Sequence, residues 1–288
     1  MNILITGSRG MLGKELVKLL NKKHKIIEFD SLLGDDILSE KKLRKKMSGV
    51  EVVIHLAGII DDNSSQLWRV NVSGTKKVLQ EAIRAKAKKF VFLSSTGVYG
   101  ETSGITSEKT ELNPTTLYEK SKAEAEKIVL KEKDNISVSI IRSAMIFGAN
   151  NYWKKMFNLL KKKYPLPLSG KNTFQIIYSK ELARIIEIVM KKGESGEIYL
   201  VAGQEKKSLN EFCNLIQAEM GLEKKLMHIP LTIGLILGKL FGIKILTKEN
   251  VRHLAKERKY NTSKIKKLGW KQKYSLKEAI KKVVKELN

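Results

Sequence analysis

Short apolar runs alternate with longer amphipathic stretches over the first half of the chain. Five runs are rich in β-branched and aromatic residues, which is typical of strands buried on both faces, and they occupy residues 2–5, 24–30, 51–58, 89–95 and 137–142. Helical periodicity is found between them at residues 14–20, 65–86 and 117–131. The pattern therefore predicts an α/β protein built on a doubly wound parallel sheet with helices on both faces.

The rhythm changes after residue 143, where the apolar runs become shorter and less regular. Residues 175–202 still follow a strand, helix, strand pattern, whereas helical patterns predominate elsewhere. We predict a Rossmann domain formed by residues 1–142 with roughly 175–202, and a smaller, mostly helical substrate domain formed by roughly 143–174 and 203–288. Ligands of α/β proteins bind at the carboxyl edge of the sheet, which the smaller domain is expected to cover.

Three glycines, Gly7, Gly10 and Gly13, follow the first predicted strand at the spacing Gly-x-x-Gly-x-x-Gly. A strand, a glycine turn and a helix together let the backbone approach a pyrophosphate closely and offer it the free N–H groups of a helix N-terminus. Arg9 and Met11 lie inside the same turn. Glycine is also common in tight turns that bind nothing, so this motif alone leaves a plain βα turn open.

Asp30 ends the second predicted strand. An acid at this place accepts hydrogen bonds from the adenosine ribose of a dinucleotide and repels a 2′-phosphate. Arg9 favours the opposite choice, because a guanidinium in the turn can pair with that phosphate. The balance favours NAD, with NADP as the alternative. Asp36 and Ile37 lie where the adenine edge is expected, although a surface turn explains them nearly as well.

The third and fourth predicted strands end in residues suited to a binding crevice. Leu56, Ala57 and Gly58 close the third strand, and the two small residues leave room for a cofactor at the sheet edge. Ser95 closes the fourth strand, where its hydroxyl can donate a hydrogen bond to a substrate oxygen.

Tyr118 and Lys122 are four residues apart in a helical pattern, so both side chains project from one face. A tyrosine phenol has a reference pKa of about 10, which is too high for efficient proton transfer at neutral pH. We expect the Lys122 ammonium, together with a cationic nicotinamide ring, to lower the pKa of Tyr118. With Ser95, the pair forms a site for interconverting an alcohol and a carbonyl. An exposed pair on a helix surface has the same spacing by chance.

The order of the motifs is more specific than any one of them. The glycine turn is followed by His-Leu-Ala-Gly, Asn-Val-x-Gly-Thr, Ser-Ser-x-x-Val-Tyr-Gly and Pro-x-x-x-Tyr-x-x-x-Lys. This succession closely resembles the extended short-chain dehydrogenase/reductase family, particularly its NAD-dependent epimerase/dehydratase branch. The resemblance is strong over residues 1–148 and continues more weakly through residues 260–264 to the end of the chain.

The resemblance implies roles for particular residues. Ser95, Tyr118 and Lys122 fall on the family's catalytic triad. The candidate cofactor-binding residues are Gly7, Arg9, Gly10, Met11, Gly13, Asp30, Asp36, Ile37, Leu56, Ala57 and Gly58, with Tyr118 and Lys122 themselves. Thr96 and Gly97 stand where sugar-nucleotide dehydratases carry an acidic pair that expels water, so a dehydratase is disfavoured.

Two departures from the family pattern concern the substrate. Met145 stands where sugar-nucleotide epimerases usually have an Asn that helps to hold the sugar nucleotide, and Phe174 or a neighbour stands where they often use an Arg on the diphosphate. A buried diphosphate needs cationic or N–H partners. Other basic residues of the second half can supply them: Lys154, Lys155, Lys171, Arg252 and Arg258.

Charge restricts the expected partners. Lys and Arg number 55 against 30 acidic residues, a formal net charge of +25. The lysines come as scattered pairs without a nucleic-acid motif, so solvated surfaces are favoured and no nucleic-acid partner is expected. The apolar run at residues 229–243 is too short to span a bilayer and contains Lys239, so we expect a buried or interfacial helix and no membrane partner.

A cytoplasmic location is expected from two features. The first strand begins at Asn2, which leaves no room for an N-terminal signal in this sequence. Cys213 is the single cysteine, which excludes an internal disulfide and suggests a reduced compartment. We interpret it as a small core residue, and we expect no metal site.

Nucleotide-sugar epimerisation is the net reaction that we expect, with hydride passing transiently to a bound NAD. Two alternatives stay open: a net NAD(P)-dependent reductase or dehydrogenase of a sugar or other carbonyl with the same Ser-Tyr-Lys site, and a non-catalytic dinucleotide-binding scaffold. The resemblance also implies a homodimer built on the helix at residues 117–131 and the helix before it.

Overall fold

A parallel sheet forms the centre of the computed structural model, which describes residues 1–167, 169–223, 226–230, 232–233, 236 and 257–287. Its six strands within those residues are β1 (Asn2–Thr6), β2 (Lys25–Phe29), β3 (Val52–His55), β4 (Lys89–Ser95), β5 (Ser137–Ser143) and β6 (Glu197–Val201). Their spatial order is β6-β5-β4-β3-β1-β2, and every adjacent pair is parallel. The α/β fold predicted from the sequence is confirmed.

The strand order reverses between β1 and β3. From β1 the chain passes to β2 on one side, and from β3 it continues through β4 and β5 on the other side. Ligands of open α/β sheets bind outside the carboxyl ends of the strands at such a switch point. Gly7, Leu56 and Thr96 follow β1, β3 and β4 directly, so this topology brings the predicted motifs to one edge of the sheet.

Within the described residues, the helices that form the cores and the site are α1 (Met11–Leu20), α2 (Glu40–Met47), α3 (Thr75–Arg84), α4 (Leu117–Lys131), α5 (Asn151–Lys161), α6 (Ser179–Lys192), α7 (Leu209–Glu219), α8 (Ser263–Lys267) and α9 (Leu276–Leu287). The structure differs from the sequence prediction before α3. There a single helix was expected over residues 65–86, but Arg69–Gly74 forms a π-helix that leads into α3. Wider turns of this kind occur often at functional sites.

Alternate residues of the strands supply two hydrophobic cores, one on each face of the sheet. Ile3 and Ile5 pack with α1 and α6, whereas Leu4 between them packs with α2, α3 and α4. All three side chains are fully buried, as the continuous apolar run of β1 predicts.

A third core lies in the second half of the chain and joins α5, α7 and α9. Cys213 belongs to it, and burial raises the pKa of its thiol to about 12, so the prediction of an unreactive core cysteine is confirmed. Ser208 and Glu211 form the predicted capping box at the start of α7, and Ser275 and Glu278 exchange the same bonds before α9. The domain boundaries themselves stay a prediction.

Some sequence predictions fall on residues outside the described part of the chain. These are Arg252 and most of the apolar run at residues 229–243. Among the described residues, none of the helices has the length and apolar character needed to cross a bilayer. The same residues contain no cluster of three His, Cys, Asp or Glu side chains able to hold a metal ion.

Helix α4 is attached to the sheet by a buried ion pair. Arg142 on β5 donates to Glu126 on α4 through Nη2 at 2.6 Å and Nε at 3.0 Å, and both side chains are almost fully buried. Ser94 on β4 donates to the same carboxylate, and Arg142 Nη1 donates to the Tyr99 hydroxyl at 2.9 Å. The pair fixes α4 relative to both β4 and β5.

Replacing Glu126 with Gln should destabilise the fold strongly. The substitution keeps the shape but leaves the buried guanidinium without an anion, so we expect the free energy of unfolding to fall by about 3–5 kcal/mol in urea titrations. Glu124→Gln on the same helix is the matched control, because Glu124 pairs with Lys127 at 3.3 Å on the surface. Equal losses in the two variants would show that the buried pair does not anchor α4.

Candidate active site

The glycine turn is closed by backbone contacts that exclude side chains. Gly7 has φ +71°, and a Cβ there would lie 2.9 Å from the backbone nitrogen of Ala57. A Cβ on Gly13 would lie 2.1 Å from the carbonyl oxygen of Gly7. Gly10 precedes α1, and no side chain of the described residues caps the helix there. The first N–H groups of α1 are therefore available to an anion.

Asp30 holds the turn after β2. Its carboxylate accepts a hydrogen bond from Arg9 N at 2.9 Å and another from Leu32 N at 2.9 Å. The guanidinium of Arg9 donates to Glu28 Oε1 at 2.9 Å. The sequence pattern sets Arg9 against Asp30 in the choice of cofactor, but it does not reveal Glu28, which lies on β2 two residues before Asp30.

Asp36 and Ile37 have different environments. Asp36 is exposed, and its carboxylate accepts from Leu38 N at 2.9 Å within a local turn. Ile37 is buried against Gly74, where a Cβ would lie 2.6 Å from its Cδ1. The structure therefore gives each a local structural role, and their place at the adenine edge stays a prediction.

His55 at the end of β3 links three elements through buried hydrogen bonds. The Thr75 hydroxyl donates to Asn71 O at 2.6 Å, so it accepts from His55 Nε2, which lies 3.0 Å away. His55 Nδ1 then accepts from the Thr6 hydroxyl at 2.6 Å. Burial lowers the pKa of His55 to about 3, which keeps the ring neutral in this arrangement. β1, β3 and the π-helix are thereby tied together.

Asn71 connects the segment after β3 to α4. Its side chain accepts from Ile59 N and donates to Ile59 O, both at 2.8 Å, and also donates to Ser121 Oγ at 2.9 Å. The Asn-Val-x-Gly-Thr motif was visible in the sequence, but this bridging role was not. Ala57 and Gly58 precede Ile59, and Gly58 is exposed, so the edge of the sheet stays open there.

Ser95 and Tyr118 meet at this edge, as the sequence predicted. The Tyr118 side chain lies beside Ser95, whose Oγ accepts from Gly97 N at 3.0 Å. Burial raises the pKa of Tyr118 to about 12, the polar contact with Ser95 lowers it, and the carboxylates of Glu119 and Asp62 raise it further. The Tyr118 backbone N–H donates to Asp62 Oδ1 at 2.6 Å, which holds the start of α4.

Lys122 lies one turn further along α4, but its charge is directed elsewhere. Its Nζ donates to Leu93 O at 2.8 Å and lies 4.7 Å from the centre of the Phe92 ring. Burial lowers the pKa of Lys122 to about 8, and the Glu126 carboxylate opposes that shift. In the protein alone, desolvation of the phenol outweighs the favourable contacts and the pKa of Tyr118 is raised. The effect of Lys122 together with a nicotinamide ring stays a prediction.

The residues that depart from the family pattern offer no acid or base. The Thr96 hydroxyl is hydrogen-bonded to Tyr260 at 3.0 Å, and Gly97 has no side chain. Phe174 is buried in the third core and packs edge-to-face on Phe212, with the ring centres 5.8 Å apart. Among the basic candidates, Lys154, Lys155 and Lys171 are exposed and Arg258 is half-buried.

A sequence model of the NAD dependent epimerase/dehydratase family matches residues 3–202, more than half of the chain. The chain belongs to this family. The match begins in β1 and ends directly after β6, so it includes the glycine turn, Ser95, Tyr118 and Lys122. The family resemblance found in the sequence is confirmed, and with it the assignment to the extended short-chain dehydrogenase/reductase enzymes.

Curated relatives and solved structures are similar to this chain over most of its length. The UDP-glucose 4-epimerase of Vibrio cholerae is 29% identical, over 97% of this chain and 93% of its own. The N-acetyl-alpha-D-glucosaminyl-diphospho-ditrans,octacis-undecaprenol 4-epimerase of Escherichia coli O157:H7 is 28% identical, over 84% and 79%. The structure of UDP-glucose 4-epimerase from Thermotoga maritima with UDP-glucose shares the fold at a TM-score of 0.83 and 21% identity, over 99% and 98%.

The glycine turn of this family member fits the dinucleotide that the family name implies. Side chains are excluded at Gly7 and Gly13 by backbone contacts, so a bound anion can approach the backbone closely at these two positions. The Ser8 hydroxyl in the same turn is buried and has no partner among the residues that the structure describes. An anion with several oxygen acceptors matches such a cradle of donors.

Removing the charge of Lys122 should stabilise the fold at neutral pH. Because burial depresses the pKa of Lys122 from 10.5 to about 8, the folded state releases a proton more readily than the unfolded state. This destabilisation is full below pH 8 and disappears as the pH rises towards 10.5. We expect Lys122→Met to raise the free energy of unfolding at pH 7 by roughly 1–3 kcal/mol, and by less at pH 10.

The measurement is urea unfolding at both pH values. Lys120→Met is the control, since Lys120 is exposed on the same helix. A Lys122→Met protein that is less stable at pH 7, or whose gain is the same at pH 10, would contradict the burial of a charged Lys122.

Proposed function

We propose that this protein is an NAD-dependent epimerase that inverts one hydroxyl-bearing carbon of a nucleotide sugar. The observation that carries the proposal is the placement of Tyr118 beside Ser95 at the carboxyl edge of the sheet, with Lys122 one helical turn away. Family membership supports the cofactor, and the names of the relatives support the substrate class.

The residues around the switch point would hold NAD. The backbone of Gly7, Gly10 and Gly13 and the N-terminus of α1 would bind the pyrophosphate. The Asp30 carboxylate, which has lone pairs beyond those used by the two backbone N–H groups, would accept from the adenosine ribose. Arg9 is paired with Glu28, so it contributes little net positive charge for a 2′-phosphate, and this favours NAD over NADP. The other candidates flank the same edge: Met11, Asp36, Ile37, Leu56, Ala57 and Gly58.

Three side chains would carry the chemistry beside the cofactor. NAD supplies a hydride acceptor next to the sugar carbon. Tyr118 removes the proton of the sugar hydroxyl as the carbonyl forms, and returns it when the alcohol is regenerated. Ser95 donates a hydrogen bond to the same oxygen, since its own oxygen is oriented by Gly97 N. Lys122, largely protonated at neutral pH, provides the positive charge that favours a phenolate on the same face of α4.

Thr96 and Gly97 favour epimerisation over loss of water. β-Elimination needs an acid and a base beside the leaving hydroxyl. The Thr96 hydroxyl already has a partner in Tyr260, and Gly97 contributes backbone alone. A keto intermediate in this site therefore has no side chain at these positions to take it towards elimination, and reduction of its other face becomes the productive step.

The names of the V. cholerae and E. coli relatives share one chemical feature, a sugar joined to a diphosphate. In the V. cholerae relative the diphosphate belongs to UDP-glucose, and in the E. coli relative it joins the sugar to undecaprenol. Exposed Lys154, Lys155 and Lys171 add positive charge to the second half of this chain, which is compatible with a diphosphate substrate. The homodimer and the cytoplasmic location stay predictions.

A ligand screen, followed by a measurement of how much free NAD is consumed during turnover, tests the proposal. A ligand that binds only the folded state raises its melting temperature, so UDP- and dTDP-sugars should stabilise the protein above NAD alone. The stabilising sugar should then be epimerised without consumption of free NAD. Stoichiometric turnover of free cofactor would instead identify a net oxidoreductase, and NAD binding without any turnover would identify a scaffold.

Replacing Tyr118 with Phe should abolish turnover and leave NAD binding intact. The substitution removes the proton-carrying hydroxyl but keeps the ring in place, so we expect a loss of about 100-fold or more in kcat. Turnover is followed with the sugar found in the screen, and NAD affinity by protein fluorescence. An unchanged kcat would remove Tyr118 from the mechanism, and loss of NAD binding would show a structural effect.

A further inference from the structure

A buried hydrogen bond joins the turn Thr96–Tyr99, which we call the catalytic turn, to a distant part of the chain. Thr96 directly follows Ser95 and opens the tight turn Thr96–Tyr99. Its Oγ1 lies 3.0 Å from the hydroxyl of Tyr260, which comes 164 residues later, and both side chains are less than 10% exposed. The bond lies outside the predicted cofactor and catalytic sets.

Tyr260 is itself fixed from two other directions. Its backbone N–H donates to Gln175 Oε1 at 2.8 Å, and Gln175 Nε2 donates to Gly203 O at 2.7 Å. The strand Lys259–Tyr260 pairs in parallel with Ile105–Thr106, which belongs to the loop after the catalytic turn. The ring of Tyr260 therefore has little freedom to move away from Thr96.

Apolar side chains pack around the ring of Tyr260. Tyr260 belongs to a small core cluster that contains Val98 and Tyr99 from the catalytic turn and Ala123 from α4. Burying two hydroxyls in such a cluster adds only a modest net stability, whereas two apolar groups of the same shape would fill it equally well. A hydrogen bond is directional, so the pair fixes the position of the Thr96 side chain more narrowly than apolar packing would.

The cluster lies between the two elements that must meet in the site. The catalytic turn directly follows Ser95, and α4 carries Tyr118 and Lys122. Ser95 Oγ accepts from the backbone of Gly97 inside the same turn, so a shift of the turn also shifts the serine hydroxyl relative to Tyr118.

We propose that Tyr260 is a positioning residue. Through its hydrogen bond to Thr96 it holds the catalytic turn, and with it Ser95, at a fixed position relative to Tyr118. It acts through Thr96 and touches no reacting atom. Gln175 holds Tyr260 in turn, so segments of the second half of the chain set the geometry of a site formed by the first half.

The first test needs no substrate and does not depend on the proposed function. Tyr260→Phe removes the hydroxyl and keeps the ring, and Thr96→Val removes the other partner. Amide hydrogen exchange is followed by mass spectrometry on a peptide that covers residues 94–100. We expect both variants to exchange this peptide about tenfold faster, since a restraint worth about one buried hydrogen bond is lost.

Tyr199→Phe is the matched control. Tyr199 is also buried, and its hydroxyl accepts from Glu194 N at 3.2 Å, but it belongs to the core around α1 and α6. It should change exchange of the 94–100 peptide by less than twofold. Equal exchange in Tyr260→Phe, Thr96→Val and Tyr199→Phe would overturn the proposal.

The second test rests on the proposed function and uses the sugar identified there. We expect Tyr260→Phe to lower kcat about tenfold, because small misplacements in a site have large effects on rate, and to change KM by less than twofold. Thr96→Val should lower kcat to a similar extent, and the double variant should be no slower than either single one. Additive losses, or a kcat within twofold of the parent, would contradict a shared positioning role.

The two tests separate the two claims. If the parent protein turns over none of the sugars, the proposed function fails, while hydrogen exchange still decides whether Tyr260 holds the turn. If Tyr260→Phe does not fold, Thr96→Val carries both measurements against the same control.

Discussion

Helix α4 presents Tyr118 to Ser95 because its inner face is fixed to the sheet by buried polar contacts. The Arg142–Glu126 pair joins it to β5, and Lys122 donates to the backbone of β4 at Leu93. Both contacts lie on the face of the helix that carries Tyr118, at successive turns. A helix held by apolar packing alone could rotate or slide by a fraction of a turn. The Tyr118 phenol would then move away from the Ser95 hydroxyl.

The same burial that fixes these groups also makes them reluctant to ionise. Desolvation raises the pKa of Tyr118 and lowers that of Lys122. The protein alone therefore holds a neutral phenol and, one helical turn away, an ammonium that releases its proton more readily than usual. A further positive charge at the sheet edge, such as an oxidised nicotinamide, shifts the balance towards the phenolate. Proton transfer from the substrate to Tyr118 would thus be fast when cofactor and substrate are both bound, and slow in the protein alone.

Much of this arrangement could be predicted from the sequence because it follows from local patterns. Glycine spacing, apolar strands and the i, i+4 relation of Tyr118 and Lys122 are short-range features, and the predicted bounds of α4 agree with those in the structure. The order of the motifs along the chain then identified the family. The position of Asp30 at the end of a strand was predicted in the same way, and its contact with a ribose stays a prediction.

The contacts that could not be predicted join residues far apart in the chain. His55 meets Thr6 and Thr75, and Tyr260 meets Thr96, across separations that leave no periodic signal. The raised pKa of Tyr118 in the protein alone could not be predicted for a related reason. The spacing of Tyr118 and Lys122 gives no measure of burial, nor of the Leu93 carbonyl oxygen that attracts the ammonium. The π-helix before α3 was likewise hidden, because its wider turn leaves the helical pattern of the sequence nearly unchanged.

The fate of the hydrogen on the inverting carbon tests the central chemical claim most directly. A nucleotide sugar carrying deuterium at that carbon is epimerised in ordinary water, and the product is examined by mass spectrometry and NMR. If the hydrogen leaves to a bound cofactor and returns from it, the product keeps the deuterium on the same carbon and no reduced cofactor appears in solution. Deuterium lost to water would contradict this, because it would mean that the carbon is deprotonated and not oxidised.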